Sequence, residues 1–286
     1  SRSSQIFYAL AGSNTNETLQ AVEEEMAPKF AAQNDMIYLN EKLFNRFKTL
    51  HDKKESLHLD AVSLKLLENY YEDFEIAGAN LSSEDKEKLK ECNEKLATLT
   101  TKFGKTLLNA NNAGAVTFTN KEDLAGVDED FLKSKESEDG KGWTIPLQNT
   151  TQQPLLQSLY NRAGREKLVK AAWHRADQGA NDTREIIKEL VEVRAQKAKL
   201  LGFNNYAEWS LQKTMAKTPE NVNTFFGKLI PAATAKAQDE SDEIQKMIKS
   251  KGQDFTLEPW DWNYYAEMVR KTKYDLDENQ IKPYFE

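Results

Sequence analysis

The sequence has few of the residues that build metal and redox sites. It contains one cysteine, Cys92, and three histidines, His51, His58 and His174, among 286 residues. A single cysteine excludes an intramolecular disulfide and permits a reducing compartment. None of the histidines belongs to an H-E-x-x-H pair, the spacing that puts two zinc ligands and a glutamate on one helix face. We therefore expect this chain to contain no catalytic residues and no metal ligands.

Long apolar runs and an excess of positive charge are also missing. No stretch approaches the roughly 18 apolar residues of a membrane span, and the first residues, SRSSQIF, lack the apolar region of a signal peptide. The net charge of −7, from 39 basic and 46 acidic residues, disfavours a phosphate backbone as partner. We expect no membrane partner, no nucleic-acid partner and a cytoplasmic context.

The histidines have ordinary surface interpretations. The segment from His51 to His58, HDKKESLH, is typical of a solvated loop between helices. His174 lies near a predicted helix end, where a protonated imidazole interacts favourably with the terminal carbonyl groups. The motifs G-x-S-x-G, P-loop and G-x-G-x-x-G are absent from the sequence, which leaves no signature of a serine hydrolase or a nucleotide-binding enzyme.

Helical periodicity dominates the chain. Two successive segments carry apolar stripes at helical spacing, and both stripes are predicted to face the core. They consist of Leu43, Phe44, Phe47, Leu50, Leu66, Leu67, Tyr70, Tyr71 and Phe74. Ser82 is predicted to begin one helix. Gly202 is predicted to end the helix that runs through IIKELVEVRAQKAKLL, and Thr218 to cap a later helix. Near the end of the chain, Asp277 and Gln280 have the spacing of a capping box.

Two short segments carry strand patterns instead. Residues 115–119, AVTFT, alternate apolar and polar side chains, and residues 142–147, GWTIPL, follow after a polar, turn-rich link. The sequence therefore predicts a mostly α fold with a small β-ribbon near residues 115–147.

Aromatic residues concentrate around one aspartate in the segment PWDWNYY. They are Trp260, Trp262, Tyr264 and Tyr265, and they surround Asp261. Aromatic residues this dense either anchor a junction in the core or line a ligand groove. The pattern alone favours the core interpretation and leaves the groove open.

Residues 145–222 closely resemble the middle of bacterial peptidyl-dipeptidases, the dipeptidyl carboxypeptidases of the thimet oligopeptidase family. The segments NTTQQP, R-x-x-R-E-K-L at 162–168, RAQKAKLLGF-x-NYAEW and MAKTPE occur in the order and spacing typical of that family. Residues 76–112 and 259–286 fit as well, so the resemblance covers nearly the whole chain. Gly164 departs from the pattern, and we expect it to weaken its helix by up to about 1 kcal/mol.

The resemblance implies an almost entirely helical zinc metallopeptidase with two lobes beside a deep channel, which releases dipeptides from the C-terminal ends of short peptides. The zinc motif and the oxyanion-stabilising residues of the family would lie beyond Glu286, so none is transferred to this chain. Residues 1–258 are expected to form a helical N-terminal-lobe region, and 259–286 to lead towards a missing catalytic lobe. The expected channel-wall or lobe-junction residues are Trp260, Asp261, Trp262, Tyr264 and Tyr265.

The resulting expectation is an internal fragment that is inactive alone, with zinc present only in the intact parent enzyme. A non-catalytic helical module that binds peptides or proteins is an alternative. A split enzyme, whose catalytic half is a separate chain, is another.

Overall fold

The computed structural model describes residues 2–137, 139–274 and 284–285, so the predicted capping box at Asp277 and Gln280 lies outside the described residues. The described part is mostly helical, as the sequence predicts. Its helices are α1 (Arg2–Ser13), α2 (Glu17–Tyr38), α3 (Glu41–Asp52), α4 (Ala61–Ala77), α5 (Ser83–Ala113), α6 (Glu129–Ser134), α7 (Asn149–Ser158), α8 (Arg162–Trp173), α9 (Arg184–Leu200), α10 (Tyr206–Ser210), α11 (Pro219–Ser250) and α12 (Trp262–Lys273). None of these helices is both long enough and apolar enough to cross a membrane.

The predicted β-ribbon is confirmed. Strands β1 (Val116–Phe118) and β2 (Trp143–Ile145) pair antiparallel, with Val116 opposite Ile145 and Phe118 opposite Trp143. Val116 and Phe118 point into the core while Thr117 between them is exposed, which is the alternation that a half-buried strand requires.

The chain divides into two compact units. The first contains residues Ser1–Thr106 and Thr183–Phe225, and the second contains residues Leu107–Asp182 and Phe226–Glu286. The β-ribbon, α6, α7, α8 and α12 therefore belong to the second unit.

In the first unit, the predicted core stripes are narrower than expected. Phe44, Phe74 and Ala79 form a buried cluster, and Leu67 is buried as well. Leu50, Leu66 and Tyr70 are instead exposed, so their assignment to core faces was wrong. The reason is geometrical, because a helix packed on one side buries only the centre of its apolar stripe.

The loop interpretation of the segment from His51 to His58 needs a correction. His51 lies inside α3, and its ring stacks on Tyr71 of α4 with centroids 4.0 Å apart and planes 4° from parallel. His58 is exposed and has a positive φ of 47°. His174 occupies the C-cap of α8, as predicted, and its Nδ1 lies 2.8 Å from an Asp177 carboxylate oxygen.

In the second unit, Gly164 allows a close backbone contact that the sequence alone did not indicate. It lies in the first turn of α8, where its N–H donates to the side chain of Asn161, the N-cap residue. A Cβ atom at this position would lie 2.8 Å from the Asp123 carbonyl oxygen and 3.3 Å from a Leu159 methyl group. Glycine therefore allows α8 to approach the preceding backbone, and this close packing offsets its low helix propensity.

Candidate functional site

Two arginines on α8 face the segment that precedes α12. Arg162 and Arg165 are three residues apart, so the helix presents both on one side. Asp261 immediately precedes α12, and its carbonyl oxygen accepts a hydrogen bond from the Tyr265 N–H at 3.1 Å. These two helix beginnings bring together residues that lie 96 and 99 positions apart in the sequence.

The Asp261 carboxylate lies at the centre of this arrangement, and its side chain is fully buried. Arg162 donates to it from Nε at 3.0 and 3.1 Å and from Nη2 at 2.9 Å. Arg165 Nη2 donates at 2.8 Å, and the Glu258 N–H donates at 3.3 Å. We call Arg162, Arg165 and Asp261 the arginine–aspartate cluster. Its two guanidinium groups and one carboxylate leave one net positive charge.

Arg165 is as deeply buried as the aspartate, with 1% of its side chain exposed. Its remaining donors bind main-chain carbonyl groups, so the charge is well solvated by the protein. Nη1 donates to Leu159 at 3.0 Å and to Tyr160 at 2.9 Å, and Nε donates to Trp260 at 3.2 Å. Arg165 therefore joins the α7–α8 connection to the segment before α12.

Aromatic rings enclose the cluster. The Arg165 guanidinium lies 4.5 Å from the ring centroid of Tyr264 and 5.8 Å from that of Tyr265, and Arg162 lies 4.1 Å from that of Phe255. Such cation–π contacts strengthen when water is excluded. Burial raises the pKa of both tyrosine hydroxyls, and Arg165 opposes this shift. The hydrogen bonds to Asp261 raise the pKa of Arg162.

The five predicted wall or junction residues are thus close together, but they differ in surroundings. Asp261, Tyr264 and Tyr265 are buried, with at most 8% of each residue exposed. Trp260 is partly buried, and its Nε1 is buried without a hydrogen-bond acceptor in the described part of the chain. Trp262 is also partly buried and lines an open groove.

In the sequence, Arg162 and Arg165 stand out only as part of the family motif R-x-x-R-E-K-L, and that motif does not indicate Asp261 as their partner. A usable signal was present, because a carboxylate among four aromatic residues must find a cationic partner if it is buried. The candidate partners were arginines at helical i, i+3 spacing.

The groove has a volume of about 690 Å³ and lies wholly within the second unit. We call it the α7–α8 groove. Its buried floor contains Leu156, Val169 and Ala172. Its polar lining residues are Asn149, Gln152, Gln153, Arg175, Ser241, Glu258 and Asn263. Trp173 and Trp262 add aromatic surface.

The described residues do not fit the zinc ion that the resemblance implies for the intact enzyme. No group of three His, Cys, Asp or Glu side chains among residues 2–137, 139–274 and 284–285 has an arrangement that can hold a metal ion. Two of the histidines already have other contacts, His51 with Tyr71 and His174 with Asp177. We therefore assign no chemical step to a metal held by these residues.

Comparison with known proteins confirms the family resemblance. Residues 155–286 match the model of Peptidase family M3. The whole chain aligns with "Dipeptidyl carboxypeptidase" of Escherichia coli at 45% identity and with the protein of that name in Salmonella typhimurium at 43% identity. Eighty-five per cent of the chain aligns with "Oligopeptidase A" of Haemophilus influenzae at 31% identity.

The chain spans less than half the length of these relatives. It covers 43% of each dipeptidyl carboxypeptidase and 37% of the oligopeptidase A. The alignment nevertheless runs through both units and includes all residues of the arginine–aspartate cluster and the α7–α8 groove. On this evidence, the chain belongs to peptidase family M3.

Proposed function

We propose that this chain forms part of a zinc-dependent peptidyl-dipeptidase that releases dipeptides from the C-terminal ends of short peptides in the cytoplasm. The observation that carries the proposal is the alignment of the whole chain with two dipeptidyl carboxypeptidases at 45% and 43% identity. The chain contributes one wall of the peptide channel. Residues 1–258 form a region of the N-terminal lobe, and 259–286 lead towards the catalytic lobe.

The predicted wall residues differ in burial, and we assign their roles from this difference. Asp261, Tyr264 and Tyr265 are buried, so they hold elements of the wall together rather than touch a peptide. Trp262 lines the α7–α8 groove, so its indole is the member of this group that meets a ligand. The buried cluster therefore supports the wall, and the groove provides its binding surface.

The chain alone is expected to be inactive. Peptide hydrolysis by a metallopeptidase needs a metal-activated water and a general base, and no H-E-x-x-H pair occurs among these 286 residues. We predict that the purified chain binds no stoichiometric zinc and cleaves neither a peptide with a free C-terminus nor one with a blocked C-terminus. Elemental analysis and mass spectrometry of the incubated peptides measure both.

The contrary result is specific. One tightly bound zinc ion per chain, together with peptide cleavage that stops on chelation, would show that the chain carries its own catalytic site. An inactive result is informative only for folded protein, so a far-ultraviolet circular dichroism spectrum with the strong helical signal of this fold is the control.

A non-catalytic helical binding module is the second candidate, and the α7–α8 groove favours it because the groove needs no further chain to form. The native mass distinguishes the candidates. A product of 32.7 kDa in the source cell supports the binding module, whereas a much longer product supports the peptidase. Co-purification of a zinc-containing partner would support a split enzyme.

A further inference from the structure

A buried acid and a partly exposed base in the first unit are joined through a carboxamide. Asp35 on α2 is 5% exposed, and its Oδ1 accepts a hydrogen bond from Asn93 Nδ2 on α5 at 2.8 Å. Lys197 on α9 is partly exposed, and its Nζ donates to Asn93 Oδ1 at 2.8 Å. We call these three residues the amide-bridged pair. They connect three helices through positions that lie 58 and 104 residues apart in the sequence.

The orientation of the Asn93 carboxamide depends on both charges. A carboxamide has a donor end and an acceptor end, and here the donor end faces the carboxylate while the acceptor end faces the ammonium group. A hydrogen bond to an ionised group is about twice as strong as one between neutral groups. Each charge therefore strengthens one of the two contacts that Asn93 makes, and the loss of either charge weakens the bridge.

Burial opposes the negative charge of Asp35. It raises the pKa of this carboxyl group above the ordinary value of 3.8, while the Asn93 amide, Lys197 and Lys90 oppose the shift. Lys90 on α5 is already paired with Glu87 at 2.6 Å, so Lys197 on α9 is the main compensating cation. A raised pKa in the folded state stabilises the fold below pH 3.8, and this stabilisation is lost as the pH rises through the folded pKa.

Burial also opposes the positive charge of Lys197. It lowers the pKa of the amine below the ordinary value of 10.5, while Asp35 on α2 and Cys92 on α5 oppose the shift. The stabilisation from this group is therefore present above pH 10.5 and is lost as the pH falls through the lowered pKa. Between the two pKa values both groups are charged, and the folded state carries both desolvation costs.

The indole of Trp209 covers the lysine end of the pair. Lys197 Nζ lies 4.3 Å from the Trp209 ring centroid, and Trp209 Nε1 donates to the Ile76 carbonyl oxygen at 3.0 Å. The indole thus makes a cation–π contact with the ammonium group and connects α10 to the end of α4. Trp209 is the single tryptophan in the sequence of the first unit, because the other four tryptophans belong to the second.

We propose that the amide-bridged pair is a pH-sensitive contact, which holds α2 and α9 on α5 while Asp35 is ionised and releases Lys197 when Asp35 takes up a proton. After protonation the ammonium group keeps its own charge but loses the charge that compensates it. Because the lysine side chain is partly exposed, the ammonium group then turns to water, and its contact with Trp209 weakens. The first unit thus has a bridged form near neutral pH and a released form at acid pH. This inference does not depend on the proposed peptidase activity.

The test is a pH titration of the full chain labelled with ¹⁵N at the indole nitrogens. The Trp209 signal is assigned by its loss in Trp209→Phe. Its chemical shift is followed from about pH 8 down to the lowest pH at which the chain keeps its native circular dichroism spectrum. We expect one transition with a midpoint above pH 3.8. Asp35→Asn removes the titrating group and Lys197→Met removes the ammonium group, so each substitution should abolish the transition.

Asp52→Asn is the matched control, because Asp52 is an exposed aspartate at the end of α3 in the same unit. It should leave the transition unchanged. Urea unfolding, followed by the Trp209 signal, supplies a second measurement. Between about pH 7 and about pH 5, the urea midpoint of the unsubstituted chain should rise relative to that of Asp35→Asn, because only the unsubstituted chain takes up a proton at this position.

Three results would each overturn the proposal. The first is a Trp209 chemical shift that stays constant over the whole pH range in which the chain is folded. The second is a transition that persists in Asp35→Asn or disappears equally in Asp52→Asn. The third is a relative urea midpoint that falls or stays constant between about pH 7 and about pH 5, since a merely structural role of Asp35 would give no rise.

Discussion

Replacement of Asp261 by asparagine is expected to lower the free energy of unfolding by about 3–5 kcal/mol, since it removes the carboxylate that pairs with the buried Arg165 and with the partly exposed Arg162. The side chain is fully buried and accepts from Arg162, Arg165 and the Glu258 N–H. Asparagine has nearly the same shape as aspartate, but it carries no charge. Its NH₂ group would also face the N–H donors of the two arginines, which need an acceptor. Urea unfolding followed by circular dichroism and tryptophan fluorescence measures the change.

The matched control for this substitution is Asp254→Asn. Asp254 lies seven residues earlier in the same segment and is exposed, so the change should stay within about 0.5 kcal/mol of zero. A loss below about 1 kcal/mol for Asp261→Asn would contradict the role assigned to Asp261, which is to neutralise the buried positive charge of the arginine–aspartate cluster.

Replacement of Arg165 by lysine is expected to cost about 3 kcal/mol or more, although it keeps the positive charge. Lysine has no planar fork of donors, so it cannot bind Asp261 together with the carbonyl oxygens of Leu159, Tyr160 and Trp260. Buried carbonyl groups that lose their donors each add a penalty. The shift of the urea midpoint at constant slope measures this loss.

Arg162→Lys provides the comparison within the cluster. The Arg162 side chain is 36% exposed, so water can solvate the substituted ammonium group, and the expected loss is about 1 kcal/mol. If the two lysine substitutions had equal effects, the distinction between a buried and a partly exposed arginine would be wrong.

The cluster also has a consequence for the α7–α8 groove. Arg162 and Arg165 belong to α8, whose Val169, Ala172 and Trp173 line the groove. Asp261 immediately precedes α12, whose Trp262 and Asn263 also line it. The cluster therefore sets the spacing between two groove elements. The substitution Arg162→Lys, which is expected to destabilise the cluster only slightly, should consequently weaken peptide binding in the groove, although Arg162 does not line the groove.

Local features of the fold could be predicted from the sequence because they depend on neighbouring residues. Ser82 caps α5, its Oγ accepting from the Asp85 N–H at 3.1 Å, and Thr218 precedes α11 at Pro219 as expected. The alternation around Phe118 correctly gave a strand. The role of Gly164 could not be predicted, since it depends on the Asp123 carbonyl oxygen, 41 residues earlier.

The candidate site was only half predictable for the same reason. The density of aromatic residues indicated Asp261 and its neighbours, and the preference for a core junction agrees with the burial of Tyr264 and Tyr265. The partners of Asp261 lie 96 and 99 residues away, and helical periodicity carries no information over that distance. The groove was likewise hidden, because it needs α7, α8 and the start of α12 to pack together.

The most direct test of the proposed function is digestion of a short peptide by the native product that contains this sequence, purified from its source cells. A peptide of six to eight residues with a free C-terminus is incubated with the product, and mass spectrometry follows the fragments over time. We predict successive shortening by two residues from the C-terminal end, with the reaction abolished by a zinc chelator and restored by zinc. Shortening by single residues, cleavage that ignores the C-terminal end, or no cleavage by a folded, zinc-loaded product would contradict the proposed function.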